Sequence, residues 1–224
     1  MNARLNFRGR KMQDKDIPTD GPRWLEWAAD IQAIAQNGLT FAVSEFDKER
    51  YQTLLNISAQ MMSSLSQSSM QPILDLFMSQ SGYATPKIDV RGAIFQEQTV
   101  LLVKESADQK WTLPGGWADM NYSPAYCMQK EVFEESGYEV AVRKLVALYD
   151  KWKHEHPKQW PHTYKCFFLC EITGGSARTS IETSDVRFFP IDNLPELSLP
   201  RVTEKQIQRC YAHYLNPTWP TDFD

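Results

Sequence analysis

The 224-residue chain contains no apolar run near the roughly 20 residues that cross a membrane, and no secretory signal. Neither a membrane span nor export is expected. Cysteine is scarce: Cys127, Cys166, Cys170 and Cys210 form no CxxC pair and have no histidine at zinc-site spacing. They read as small buried hydrophobes of a reducing compartment, which points to the cytoplasm. There is no surplus of positive charge either. Lys and Arg number 24 against 28 Asp and Glu, a net charge of −4. That excludes a protein that grips nucleic acid by bulk electrostatics, although a local basic groove remains compatible. No internal repeat or low-complexity tract is visible.

What is present divides into differently patterned parts. The opening MNARLNFRGRK carries Arg4, Arg8, Arg10 and Lys11 with no acid, and reads as part of a disordered basic leader over 1–17. A targeting or nucleic-acid arm is the alternative, and Met12 a second start. From 18 to 82 the pattern is helical. Trp24, Trp27, Ala28, Ile31, Ile34 and Ala35 mark the apolar face of a first helix, opening near Gly21-Pro22 and stopping at Asn37-Gly38. Tyr51 to Leu65 repeat the pattern, and Met70 to Phe77 give a short third helix with Pro72 in its first turn. Three short helices form a small core, so this unit is expected to bury apolar surface elsewhere: on the other domain, on a second copy, or on both. Met61, Met62, Met70 and Met78 suit adaptable packing.

From 83 to 224 the pattern turns to strands. "KIDVRGAIF" alternates, "TVLLVK" is a buried run, and "YEVAVRKLVALYDKW", "TYKCFFLCEI" and "DVRFFPI" follow. One helix, Ser123 to Ser136, interrupts them, and a last one opens with the capping pair Thr203 and Gln206. This order predicts a mixed sheet between helices, an α/β/α sandwich preceded by a small all-α domain.

The interrupting helix raises a charge problem. At about 100° per residue, Glu131, Glu134 and Glu135 share an arc beside the buried stripe of Ala125, Met128 and Val132. They lie near the helix C-terminus, the unfavourable end of its dipole, and repel one another. A solvated acidic face gives the same pattern. A hard divalent cation, magnesium with manganese as substitute, offsets the repulsion. Leu113-Pro114-Gly115-Gly116 just ahead favours the second reading, because glycines let backbone carbonyls approach a metal or ligand closely.

From Gly116 to Tyr138 the chain resembles the Nudix box, G-x5-E-x7-R-E-U-x-E-E-x-G-U with U apolar, at unbroken spacing. Two positions depart from it: Tyr122 stands for the first Glu, and Lys130 for the Arg. Asp119 is placed to cover the first loss; Lys130 keeps the charge but not the planar fork of arginine. The helical start, "GGWAD", "YDKWKHEHP" and "SIETSDVRFF" resemble the subgroup typified by bacterial CDP-choline pyrophosphatase. The resemblance implies Mg²⁺-dependent hydrolysis of a nucleoside diphosphate linked to another group: CDP-choline to CMP and phosphocholine, or ADP-ribose to AMP and ribose 5-phosphate. It also implies a homodimer. The alternatives are trimming of an RNA 3′ end at the same site, and a non-catalytic nucleotide sensor. A sensor of that kind calls for a basic recognition helix, which the first 82 residues lack.

On this resemblance Glu131 and Glu135 are direct metal ligands, Glu134 a third ligand or orienter, and the Gly116 carbonyl a further candidate. The general base is Glu131, Glu182 or Glu155, with Glu182 favoured. Around them, Arg91 reads as a diphosphate contact or a solvent-facing strand residue. Trp111 and Trp117 read as base-stacking or core residues. His154, His156 and His162, with Trp160, read as a substrate-gating or plain surface loop, since no fourth ligand completes a metal site.

Overall fold

A computed structural model describes residues 23–66 and 68–224. The basic leader and the Gly21-Pro22 opening lie outside them. Three helices come first: α1 (Arg23–Phe41), α2 (Glu45–Leu65) and α3 (Met70–Met78). α1 runs past Asn37-Gly38, where the sequence suggested a stop. Gly38 serves packing instead: a Cβ there would lie 2.3 Å from the Tyr51 ring of α2.

The apolar face of α1 is only partly where periodicity placed it: Ala28 and Ala35 are buried and Ile31 half-buried, but Trp24, Trp27 and Ile34 are not. Ala28, Ala29, Gln32 and Ala35 face α2, while Trp24, Trp27, Ile34 and Phe41 form an exposed stripe. Small residues win the inner face because they let the helices approach closely. The large residues stay on the outside, where Trp24 packs edge-on against Trp27 at 5.0 Å and Phe41 lies 6.4 Å from the Tyr83 ring. Of the methionines, Met62 is buried, Met61 and Met70 are half-buried, and Met78 is exposed.

The remaining elements are β1 (Lys87–Gln96), β2 (Thr99–Glu105), β3 (Trp111–Thr112), α4 (Pro124–Ser136), β4 (Tyr138–Asp150), β5 (Thr163–Gly175), β6 (Thr183–Pro190), α5 (Glu204–Leu215) and β7 (Asp222–Phe223). They build one mixed sheet in the order β3-β2-β1-β5-β4-β7, with β6 also on β2. β1 and β5 are parallel from Lys87↔Thr163 to Ile94↔Cys170, and β4 and β5 antiparallel. α4 seals one face through Cys127, Met128 and Val132 over Val90, Ile94 and Phe168. α5 seals the other through Ile207 and Cys210 over Ala93, Phe167 and Leu169. This is the expected α/β/α sandwich. β5 is buried on both faces because it is central, and all four cysteines are free and buried.

The helical unit does bury surface against the sheet unit. Trp152 and Trp160, from the segment joining β4 to β5, join its core, with the Trp160 ring 5.3 Å from that of Phe77.

Candidate active site

Local chemistry fixes α4 at both ends. The Ser123 hydroxyl accepts the Tyr126 N–H at 3.2 Å, Pro124 opens the first turn, and left-handed Gly137 closes the last. The loop before it lies along β1. Gly92 N–H donates to Pro114 O, Val90 N–H to Gly116 O and Ala118 N–H to Ile88 O, each at 2.9 Å. Gly115 sits at φ 142°, and a Cβ there would be 2.0 Å from the Val90 carbonyl, so only glycine fits.

Glu131 and Glu135 converge on this diglycine. The Gly115 N–H donates to Glu135 Oε2 at 2.8 Å. Glu131 Oε2 lies 2.8 Å from where a Gly116 Cβ would stand. Burial pushes the Glu135 carboxyl up to about 8, against the opposing pull of Arg91 and the Gly115 N–H. Burial also lifts Glu131 to about 6; Lys130 and Arg91 oppose the shift, while Glu134 and Glu182 add to it. Two half-desolvated carboxylates one helical turn apart need a proton or a cation. The donors present are hard oxygens: these two side chains and the Gly116 carbonyl, which keeps a lone pair beyond its Val90 bond. Among the described residues no three carboxylate, imidazole or thiol groups form a ready cage. The set therefore fits an ion that takes its other ligands from phosphate and water, as magnesium does.

Glu134 does not join them. It points to Lys130 (3.3 Å), which also holds Asp119 (3.0 Å), on the exposed side of α4. Asp119 is thereby committed to Lys130. Glu182 is exposed, but its turn is stapled to the end of α4: Thr183 Oγ1 donates to the Glu135 carbonyl at 2.7 Å, and Ser106 N–H to the Glu182 carbonyl at 2.8 Å. Glu155 instead pairs with Lys205 on α5.

Five further expectations meet different fates. Arg91 is not free to reach a diphosphate: it is buried, clasps Asp89 through Nε (2.9 Å) and Nη2 (2.8 Å), and donates to Leu113 O. Trp111 is buried edge-on against Phe189 at 4.6 Å, so it packs and does not stack a base. His156 is no gate residue. It is buried, bonded through Nδ1 to Leu199 O (2.6 Å) and through Nε2 to Gln206 (2.9 Å). His154 is held by Asp224 at 3.1 Å and packs on Tyr149. Trp117, about half exposed, is the one of these five that stands out of the loop into solvent.

Two buried polar groups escaped the sequence reading. Asp89 also receives Lys165 Nζ at 2.7 Å. Burial works to raise the Asp89 carboxyl, but Arg91 and Lys165 outweigh it and hold it at about 2. Glu105, at the end of β2, pairs with Arg201 at 2.8 Å, and burial raises its carboxyl. A bulge at Lys104/Glu105 turns it inward, which no alternation pattern announces.

Two family models match the chain. One, described as the NUDIX domain, spans residues 85–210. The other, the UDP-X-like N-terminal oligomerisation domain, spans 22–77. The YjhB protein of Bacillus subtilis (strain 168), provisionally named an ADP-ribose pyrophosphatase, is 45% identical over 202 residues, covering 90% of this chain and 97% of its own. Among solved structures, a UDP-X diphosphatase superposes with a TM-score of 0.60 at 31% identity, covering 90% of this chain and 98% of that one. An ADP-ribose pyrophosphatase of Streptococcus suis 89-1591 gives 0.58 at 41% identity, covering 62% of this chain and all of the other. With box, sheet and both matches in agreement, the chain belongs to the Nudix hydrolases, as a pyrophosphohydrolase of the subgroup that carries a helical N-terminal domain.

Proposed function

We propose that this protein hydrolyses the pyrophosphate bond of a nucleoside diphosphate linked to a second group, with Mg²⁺ (or Mn²⁺) held by Glu131, Glu135 and the Gly116 carbonyl. The observation that carries this reading is the convergence of two carboxylates, raised to about 6 and 8, on a backbone loop that only glycine can form. A cation bound there neutralises phosphate oxygens and acidifies a bound water. Glu182 would accept the proton of the water that attacks one phosphorus, with the phosphate on the far side of the bridging oxygen leaving. The stapled Ser180–Thr183 turn and the effect of the Glu182 charge on Glu131 support this role. Glu134 steadies Lys130 and lies outside the ligand set.

ADP-ribose is the leading substrate, since relatives at 45% and 41% identity carry that name. CDP-choline, giving CMP and phosphocholine, is the second, on the likeness of the whole domain arrangement. The RNA 3′ end draws no support from the relatives named above, which are named for ADP-ribose and UDP-X. Four free, buried cysteines support a cytoplasmic setting, and no helix among the described residues is long and apolar enough to cross a membrane. The exposed α1 stripe and the oligomerisation-domain match support a homodimer.

The deciding experiment incubates the protein with ADP-ribose and with CDP-choline in excess Mg²⁺ and separates the products by chromatography. AMP or CMP forming at the expense of substrate, and only with the metal, is the expected result. Neither product forming would remove the reading.

A further inference from the structure

The loop that carries the diglycine takes the place of β2 along the first half of β1. β1 pairs with β2 at Phe95 and Gln96; nearer its start it offers its edge to Pro114, Gly116 and Ala118 instead. Those backbone bonds begin at Pro114. The carbonyl one residue earlier, Leu113 O, accepts from two side chains: Arg91 Nη1 at 3.2 Å and, from the adjacent residue, Thr112 Oγ1 at 3.2 Å. Of the two, Arg91 ties the carbonyl to another strand. Two residues beyond Leu113 the Gly115 N–H meets Glu135 Oε2 at 2.8 Å, and the Gly116 carbonyl follows it.

Arg91 is itself aimed by two buried partners. Asp89 takes Nε at 2.9 Å and Nη2 at 2.8 Å, which leaves Nη1 turned to Leu113. Lys165 Nζ, 2.7 Å from Asp89 Oδ1, fixes that carboxylate in turn. All three residues are more than nine-tenths buried. Taking such charges out of water is costly, and well-packed apolar residues commonly hold a fold at least as well. Stability alone therefore does not account for the triad. What apolar residues cannot supply is a planar fork with one donor directed at a chosen carbonyl. The Arg91 charge also draws Glu135 toward its ionised form.

We infer that Arg91, aimed by Asp89 and Lys165, is a positioning residue of the metal site: by fixing the Leu113 carbonyl it sets where the Gly115 N–H and the Gly116 carbonyl stand relative to Glu131 and Glu135. The inference rests on the proposed binding of a divalent cation by those groups. It extends the site to a residue that touches neither the ion nor the substrate.

The test is Arg91→Lys in the intact protein. It keeps the charge and gives up the fork, since one ammonium nitrogen cannot span Asp89 and the Leu113 carbonyl as the guanidinium nitrogens do. Substrate-free protein is titrated with Mn²⁺, and binding is read from the electron paramagnetic resonance of the free ion. The variant is expected to bind Mn²⁺ about tenfold more weakly than wild type. In turnover of ADP-ribose kcat should fall about tenfold or more, while KM in saturating Mg²⁺ stays within about threefold. Circular dichroism and urea midpoints establish that the variant is folded in the assay. Should it not fold, Asp89→Glu decides: it keeps all three charges, displaces the fork by one methylene, and is expected to lose Mn²⁺ affinity in the same direction. Wild-type Mn²⁺ affinity in either folded variant would overturn the inference and leave the triad a structural feature. Failure of the hydrolytic reading shows itself separately, in the wild type. Mn²⁺ bound with neither AMP nor CMP formed removes the proposed reaction and not the role of Arg91; no Mn²⁺ bound removes both.

Discussion

Gly116 and Glu131 are packed so that a single methyl group cannot be placed between them: a Cβ on Gly116 would stand 2.8 Å from Glu131 Oε2 and 3.2 Å from its carboxyl carbon. The φ of Gly116 is one an L-residue adopts, so Gly116→Ala is expected to fold. Its methyl group displaces the Glu131 carboxylate, and turnover should fall about 10–100-fold with a matching rise in the Mg²⁺ needed for half-maximal rate. An unchanged metal dependence would separate Glu131 from the ion.

Glu135→Gln removes charge from the same pocket and keeps an oxygen to accept the Gly115 N–H. The native carboxyl holds its proton up to about 8 in the fold against 4.5 as its ordinary value. Between those limits the folded chain binds the extra proton, so cation-free wild type loses stability as pH rises from about 4.5 to 8. The variant lacks that slope. At pH 7 it should unfold about 1–3 kcal/mol later in urea while losing about a hundredfold or more in turnover. Equal pH slopes for the two proteins would contradict the burial of Glu135.

Among the described residues, Asp89 is the sole carboxylate bonded to both Arg91 and Lys165. Asp89→Asn leaves two buried cations without it, which costs about 3–5 kcal/mol. Burial already pulls the Lys165 ammonium down to about 8, so Lys165→Met in the same chain is expected to recover part of the loss. Denaturation midpoints of the single and double variants decide the matter. A double variant no better than the single would place the cost in the hydrogen bonds of Arg91.

Much of this site was legible along the chain because it is local. Ser123, Pro124 and Gly137 frame α4, the glutamate spacing sets one face, and the box covers loop and helix in 23 consecutive residues, Gly116 to Tyr138. What was not legible depends on contacts distant in sequence or on irregularity. Lys165 reaches Asp89 across 76 positions. Glu105 turns in at a bulge. The segment joining β4 to β5 sends His156 into the sheet unit and Trp152 into the helical unit, a division that residue type alone does not reveal. The choice between contact and solvent for Arg91, and between stacking and core for Trp111, stayed open along the sequence because charge and aromaticity say nothing about which face of a sheet is covered; both are buried.

His156 gives the fold an acid limit independent of the carboxylate pair. Burial, with Lys165 and Lys151 nearby, drives its imidazole down to about 4 from 6.5, although the Leu199 carbonyl opposes this. Unfolded chain binds a proton between those values and folded chain does not, so stability drops as pH falls from about 6.5 to 4, by up to about 3 kcal/mol. His156→Gln supplies a donor and an acceptor without titrating. Urea midpoints measured across that window should be flatter for the variant, and a parallel pair of curves would assign the acid limit to another group.

The α1 stripe bears on the assembly. Trp24, Trp27, Ile34 and Phe41 recur at three- and seven-residue steps, and Trp24 and Phe41 are 56% and 67% exposed. Contiguous apolar surface of this kind on a helix marks a protein interface, and the seven-residue recurrence suits a facing helix of a second copy. The aromatic side chains that a lone chain leaves in water then become the centre of the contact. Trp24→Glu with Phe41→Glu places charge in that centre without touching Ala28, Ala35 or the α2 contact. Light scattering behind gel filtration should give a dimer mass for wild type and a monomer mass for the double variant, with circular dichroism unchanged. A dimer that survives both charges would move the interface to another face.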